Sequence, residues 1–158
     1  MAEQNGSLLY LDDFKVGQRF ISDSHSLDAQ QIKTFAAQFD PQPFHLDEKQ
    51  AQNTFFGELI ASGWHTAAIT MRLLVNSFGH RIAGGLIGRG GEISWPNPAH
   101  ATDILHVESE VLELKPSITR PDWGTIKIQS LTLNQQQQVV QKLIAEVMLQ
   151  RKKVYKSD

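Results

Sequence analysis

The amino-acid sequence predicts an α+β fold in which an antiparallel sheet curls around one central helix. Helical patterns dominate the first half of the 158 residues, whereas the second half alternates strand patterns with short turns. One helical segment, residues 64–78, is apolar on nearly every side, which predicts that it is buried on several sides. A sheet wrapped around this segment accounts for both observations.

The chain begins with one strand pattern and one amphipathic helix pattern. Residues 18–27 alternate imperfectly between apolar and polar side chains and predict a first strand. Residues 29–39 carry apolar side chains at helical spacing. Asp28 stands at the N-cap position and Gln31 follows three residues later, which fits a variant of the capping box. We therefore expect a helix that begins directly after Asp28.

Two prolines separate this first helix from the elements that follow. Pro41 and Pro43 are expected to end the helix and to make the next residues a stiff, non-helical turn. Asp47 then predicts the cap of a short helix over residues 48–54. Gly79 is the expected C-cap of the central helix.

The second half predicts four antiparallel strands, because short turns join them in sequence. Their ranges are 84–95, 103–114, 123–134 and 139–152, with turns over 96–102, 115–122 and 134–138. The last range also fits a helix by propensity, and its place after three strands favours a strand. The glycine-rich residues 85–91 lack the lysine and hydroxyl ending of a nucleotide-binding loop and do not lead into an obvious helix, so they predict bulges in a bent strand.

Composition excludes several classes of protein. A net charge of −2 and a pI near 6.3 give no general electrostatic reason to expect nucleic acid or an anionic membrane as partner. The absence of cysteine excludes disulfides and thiolate chemistry. No apolar run approaches the ~20 residues of a membrane helix, and the first residues do not resemble a signal peptide. We expect a cytoplasmic protein with one domain over residues 8–154 and flexible termini over 1–7 and 155–158.

Asp40 and His45 stand five residues apart around the two prolines, and the sequence Ile-Ala-Ser-Gly follows at residues 60–63. A carboxylate and an imidazole that share one water can divide the base and acid tasks of a hydration. The amide of Gly63, at the start of the central helix, can stabilise negative charge on a nearby oxygen. Taken singly, the acid fits a turn residue and the histidine a structural role. Their combination favours a site.

Residues 35–66 resemble the hydratase motif of MaoC-like dehydratases and (R)-specific enoyl-CoA hydratases, and flanking segments extend the likeness over most of the chain. The resemblance implies a hotdog fold, in which an antiparallel sheet wraps a long central helix. It also implies that Asp40 and His45 form the hydration dyad and that the Gly63 amide polarises a thioester carbonyl. A homodimer or larger homo-oligomer is implied as well, with the site at the subunit interface.

Further residues are assigned to substrate binding. They are Gln42, Phe56, Ser62, Trp64 and His65, with Arg89 as a contact for a CoA phosphate. Phe56 and Trp64 also fit core or interface positions, and His65 also fits a buried imidazole with a hydrogen-bond partner. The family pattern is altered at Gln42, Ser62 and Met71, the last of which stands where some active relatives carry a hydroxyl that supports the aspartate. No metal is expected, because His45, Asp47 and His65 match no metal-binding motif.

The resemblance implies a hydro-lyase that adds water reversibly, in the syn sense, to a trans-2-enoyl-CoA and forms an (R)-3-hydroxyacyl-CoA. Coenzyme A belongs to the substrate, and no separate cofactor is expected. Two alternative functions also fit the sequence. One is a hotdog acyl-CoA thioesterase. The other is a MaoC-like subunit that binds acyl-CoA without catalysis, having lost activity through Gln42, Ser62 or Met71.

Overall fold

A computed structural model describes residues 6–153 and has the predicted α+β architecture. Within these residues there are four α-helices: α1 (Ala29–Phe39), α2 (Pro43–Leu46), α3 (Glu48–Ala51) and α4 (Gly63–Ser77). The strands are β1 (Arg19–Ile21), β2 (His25–Ser26), β3 (Ile87–Ser94), β4 (Ile104–Pro116), β5 (Trp123–Leu133) and β6 (Val139–Gln150). Of the predicted flexible termini, residues 1–5 and 155–158 lie outside the described range, as does residue 154.

The strands form one antiparallel sheet in the order β1-β4-β5-β6-β3, with β2 paired to β4. The prediction of a strand rather than a helix after residue 139 is confirmed, because β6 pairs with β5 on one side and β3 on the other. The single strand predicted over residues 18–27 is instead two. Ser22 lies between them, and its Oγ accepts the Val107 amide hydrogen at 2.8 Å, which interrupts the backbone ladder.

The central helix α4 packs one face on the sheet and leaves the other open. Ile69 and Leu73 are buried in the core against the sheet. Trp64 and Met71, in contrast, are 59% and 47% exposed. The prediction that this helix is buried on several sides therefore holds towards the sheet and α1 and is wrong for the face that carries Trp64 and Met71.

Both predicted aspartate caps are confirmed. The Asp28 carboxylate accepts the amide hydrogen of Gln31 at 2.8 Å, and the Asp47 carboxylate accepts that of Gln50 at 2.9 Å. The helix after Asp47 is shorter than predicted and ends at Ala51. Within residues 6–153, no helix combines the length and the apolar character needed to span a membrane.

Two other expectations were wrong. The segment after Pro41 contains a helical turn, α2, because Pro43 occupies its first position, where proline sacrifices no hydrogen bond. Gly79 is not the cap of α4; Phe78 is, and Gly79 begins a 3-10 turn. A Cβ at Gly79 would lie 2.7 Å from Leu86 Cδ1, so close packing explains this glycine.

The predicted bulge in the glycine-rich strand is confirmed. The pairing of β3 with β6 shifts between Gly88 and Gly90, which leaves Arg89 as the extra residue. Gly90 has a φ of 124°, a conformation that residues with a Cβ rarely adopt.

Candidate active site

Asp40 and His45 lie on adjacent elements that the two prolines bring together. Asp40 caps the C-terminus of α1, and its amide donates to the Ala36 carbonyl at 2.9 Å. His45 lies on the single turn of α2 and is buried. The Nε2 atom of His45 is 3.2 Å from Oδ2 of Asp40. The residues that the sequence analysis assigned to the dyad are therefore in contact.

The hydrogen bond of His45 Nδ1 determines which ring nitrogen carries a proton. Nδ1 lies 2.7 Å from the backbone oxygen of Ile60, and a carbonyl oxygen can only accept a hydrogen bond. Nδ1 therefore carries a proton, and Nε2 faces the Asp40 carboxylate. A proton between Nε2 and Oδ2 makes this contact a hydrogen bond.

Asp40 accepts two further hydrogen bonds from side chains. Ser62 Oγ donates to Oδ2 at 2.7 Å, and Gln42 Nε2 donates to Oδ1 at 2.6 Å. Burial raises the pKa of Asp40, but these two hydrogen bonds and the nearby His45 outweigh it and hold the pKa below its usual value. The carboxylate is therefore ionised at neutral pH and points its Oδ2 atom at the imidazole.

The N-terminus of α4 supplies free amide hydrogens next to the dyad. Ser62 is the N-cap, and its Oγ accepts the amide hydrogen of Trp64 at 3.2 Å. Gly63 is the first residue of the helix, so its amide has no acceptor within the helix and lies at the positive end of the helix dipole. An oxygen that gains negative charge is stabilised at such a position.

One cavity of about 440 Å³ contains the dyad and this helix end. Asp40, His45 and Gly63 line it together with the aromatic side chains of Phe55, Phe56 and Trp95. Gln42 and Trp64 also line it, as the sequence analysis assigned. The cavity has the mixture expected of a small-molecule site, with apolar walls and a few convergent polar groups.

Three of the assigned substrate-binding residues lie elsewhere or act indirectly. Ser62 is behind the cavity wall and contacts Asp40. Arg89 lies in the exposed bulge of β3 and is not among the residues that line this cavity. His65 points to α1, where its ring stacks on Phe35 at a centroid distance of 4.6 Å.

His65 is buried, and no hydrogen-bond partner of its Nδ1 atom is found within residues 6–153. Burial, with smaller contributions from His25 and His45, lowers the pKa of His65 to about 4. The ring is therefore neutral at pH 7.

Trp95 is a cavity residue that the sequence patterns do not indicate, and they predict the segment after it only as a turn. Trp95 and residues 96–99 form one wall of the cavity. A Cβ at Gly63 would lie 2.6 Å from the indole Cε2, so the ring packs directly against the helix start. The available signal was an aromatic residue followed by Pro96 and Pro98, which repeats the proline-stiffened pattern of the dyad segment.

No group of three His, Asp or Glu side chains within residues 6–153 has the arrangement of a metal site. The described part of the cavity thus offers one acid, one imidazole and a helix-terminal amide. This set can exchange protons with a bound water and stabilise an oxyanion, which is the chemistry of hydration, dehydration and acyl hydrolysis.

Comparison with known proteins identifies the family. The model of the MaoC like domain matches residues 13–128. A crystal structure of a MaoC-like dehydratase from Rhodospirillum rubrum is 54% identical, with a TM-score of 0.88, over 92% of this chain and 99% of that chain.

Two curated proteins are also similar. The uncharacterized protein YdeM of Bacillus subtilis is 33% identical over 80% of this chain and 89% of its own length. A 3-hydroxybutyryl-CoA dehydratase of Methylorubrum extorquens is 31% identical over 72% of this chain and 70% of its own length. The fold is the hotdog fold, and the chain belongs to the MaoC-like dehydratase family.

Proposed function

We propose that the protein hydrates a trans-2-enoyl-CoA reversibly and forms an (R)-3-hydroxyacyl-CoA. One observation carries this proposal: the contact between Asp40 and His45 shares a cavity with the Gly63 amide. Hydration of an enoyl thioester needs a base, an acid and a donor to the carbonyl oxygen, and these three groups can supply them. The base activates water, the acid protonates the α-carbon, and the donor stabilises the enolate oxygen.

The proton assignments follow from the tautomer of His45. Asp40 accepts a proton from the bound water as the water oxygen bonds to the β-carbon. His45 Nε2 delivers its proton to the α-carbon, since its Nδ1 is occupied by Ile60. The proton on Asp40 then returns to His45 across the 3.2 Å contact and restores the dyad. Both groups act from one side of the substrate, which gives syn addition.

The Gly63 amide would bind the thioester carbonyl oxygen. The π-electrons of the enoyl group move towards this oxygen as water attacks, so its charge is larger in the transition state than in the bound substrate. A hydrogen bond that becomes stronger as this charge grows lowers the activation free energy and so accelerates the reaction. The N-cap hydroxyl of Ser62 holds the helix end and Asp40 in register, which supports a working site.

The relative from Methylorubrum extorquens supports this assignment by its name, because dehydration of a 3-hydroxyacyl-CoA is the reverse of the proposed reaction. The altered positions Gln42 and Ser62 do not favour a degenerate, purely binding subunit. Each donates a hydrogen bond to Asp40. Met71 is exposed on the surface, and the Ser62 hydroxyl already supports the carboxylate that the expected hydroxyl would have supported.

We further propose that two copies of the chain pair. Strand β3 is at the end of the sheet, and almost all of its residues are exposed. The open face of α4 adds the exposed side chains of Trp64, Met71 and Val75. Pairing through this side would cover both. The cytoplasmic location and the lack of a nucleic-acid partner remain predictions.

A panel of trans-2-enoyl-CoA thioesters tests the proposed reaction. Hydration removes the conjugated enoyl absorbance without release of free thiol, and chiral analysis should find the (R)-alcohol. Release of thiol at the same rate would instead identify a thioesterase. Binding of acyl-CoA without loss of absorbance for any member of the panel would identify a non-catalytic subunit.

A further inference from the structure

We propose that Trp95 closes the acyl end of the cavity and restricts the protein to short acyl chains, with Gln141 as the residue that positions the indole. The proposal rests on the proposed function in that it takes an acyl thioester as the ligand. It adds the substrate class, which the dyad alone does not determine.

The indole of Trp95 lies against the proposed carbonyl-binding position. A Cβ built on Gly63 would be 2.6 Å from the indole Cε2 and 2.8 Å from Cδ2. The ring therefore fills the space beside the Gly63 backbone. A thioester whose oxygen meets the Gly63 amide places its first acyl carbons within a few ångströms of this ring.

Exposure differs among the residues that line the cavity, which orients the ligand. Phe55 is 97% exposed and marks the mouth. Val140 is 1% exposed and directly precedes Gln141, whose side chain is hydrogen-bonded to Trp95, so the indole lies beside the buried part of the lining. Coenzyme A is large and charged, so it has to extend from the mouth into water. The acyl chain is thus directed to the buried part of the lining, beside Trp95.

A single hydrogen bond fixes the indole at that end. Trp95 Nε1 donates to Gln141 Oε1 at 3.0 Å, and Gln141 is fully buried on β6. The indole can only donate, so the Gln141 amide has to present its oxygen to Trp95 and turn its amino group away. That amino nitrogen has no partner within residues 6–153. An unpartnered buried donor is unfavourable, and here it accompanies the hydrogen bond that holds the indole.

The neighbours of Gln141 hold its side chain in place. Gln141 pairs with Thr132 on β5, and the Thr132 hydroxyl lies 2.6 Å from the Thr70 hydroxyl of α4. All three side chains are buried. This packing leaves Gln141 little room to turn away from the indole.

Trp95 is partly outside the core. It is 39% exposed, and its aromatic contact within residues 6–153 is the edge-on packing of Trp64 at a centroid distance of 5.2 Å. The ring can therefore be removed or loosened by substitution while the core residues below it stay in place. The preference of each variant for short or long acyl chains therefore reports whether the indole is present and held in position.

The test compares kcat/KM for eight-carbon and four-carbon trans-2-enoyl-CoA thioesters in the wild type, Trp95→Ala, Trp95→Phe and Gln141→Leu. The wild type should prefer four carbons. Trp95→Ala should raise the ratio of eight-carbon to four-carbon kcat/KM by about tenfold or more, since a few methylenes in a pocket are worth that much. Trp95→Phe and Gln141→Leu should raise this ratio less, because each variant keeps an aromatic ring at position 95 and loses only the hydrogen bond to residue 141.

Trp123→Phe is the matched control, since Trp123 begins β5 and is not among the residues that line the cavity. Its ratio should equal that of the wild type. Wild-type ratios in all folded Trp95 and Gln141 variants would overturn the proposal. If Trp95→Ala does not fold by circular dichroism, Trp95→Phe and Gln141→Leu decide the question.

Binding of saturated acyl-CoAs separates this proposal from the proposed function. Isothermal titration with butyryl-CoA and octanoyl-CoA reports chain-length preference without any turnover. If no enoyl thioester is hydrated but Trp95→Ala still removes a preference for butyryl-CoA, the reaction is wrong and the role of Trp95 stands. If the wild type binds both equally, or binds neither, the role of Trp95 is refuted.

Discussion

Ser62 Oγ donates a hydrogen bond of 2.7 Å to Asp40 Oδ2 and accepts one of 3.2 Å from the Trp64 amide. One hydroxyl thus joins the C-terminus of α1 to the N-terminus of α4. The proposed base and the proposed oxyanion donor belong to different helices, and this side chain sets their separation. It also caps α4, which couples the geometry of the site to the stability of the central helix.

Substitution of Ser62 by alanine should therefore lower both activity and stability. Loss of a hydrogen bond to a charged group should reduce kcat/KM by about 10- to 100-fold. Loss of the helix cap should cost about 1 kcal/mol of unfolding free energy. Enoyl-CoA hydration and urea unfolding measure the two effects. Ser62→Thr keeps a hydroxyl and is the control, and equal losses in both variants would contradict the hydrogen-bond explanation.

The lowered pKa of Asp40 predicts a dependence of stability on acid. Because the folded pKa lies below the usual value of 3.8, the ionised carboxylate adds stability that is present above pH 3.8 and is lost as pH falls through the folded pKa. Wild type and Asp40→Asn should accordingly differ most in unfolding free energy near pH 6. The difference should shrink as the pH falls below 3.8. A difference that stays constant from pH 6 to pH 2.5 would contradict the assigned hydrogen bonds.

His65 predicts a second effect, in a different pH range. Its folded pKa is about 4 against an ordinary value of 6.5, so the unfolded chain binds the proton first. Stability from His65 should be complete above pH 6.5 and should fall between pH 6.5 and pH 4, by up to about 3 kcal/mol. His65→Phe keeps an aromatic ring on Phe35 and removes the titration. The unfolding free energy of this variant should decline less over that range, and parallel curves for both proteins would disprove the prediction.

Gly63 and Trp95 should be energetically coupled. Gly63→Ala adds a Cβ that would lie 2.6 Å from the indole, and this overlap should cost about 1–3 kcal/mol of unfolding free energy. The same substitution on a Trp95→Ala background should cost much less, because the ring is gone. Urea unfolding of the two single variants and the double variant gives the coupling energy. Additive losses would show that the indole does not pack where the structure has it.

The sequence could predict the parts of this molecule that depend on local pattern. The spacing of Asp40 and His45, the caps at Asp28 and Asp47 and the four long strands follow from residue type and periodicity. Local rules also misled at Pro43, since a proline that ends one helix can equally begin the next. Local rules could not predict the open face of α4, because its exposure depends on how much of the helix surface the sheet covers.

The remaining site features come from contacts between distant residues. The hydrogen bond between Ser62 and Asp40 spans 22 positions, and that between Trp95 and Gln141 spans 46. No local pattern links such pairs. In the sequence alone, Ser62 is therefore only a departure from the family pattern, and Trp95 has no signal that links it to Gln141. The orientation of His65 could not be predicted for the same reason. Its position next to Trp64 in the sequence does not reveal that its side chain faces α1.

The most direct test of the central claim is the rate at which Asp40→Asn hydrates trans-2-butenoyl-CoA. The variant keeps the shape of the side chain but cannot accept the proton of water. Its kcat/KM should fall by about 100- to 10,000-fold relative to the wild type, with the fold retained by circular dichroism. A folded Asp40→Asn protein that hydrates the substrate at the wild-type rate would contradict the account.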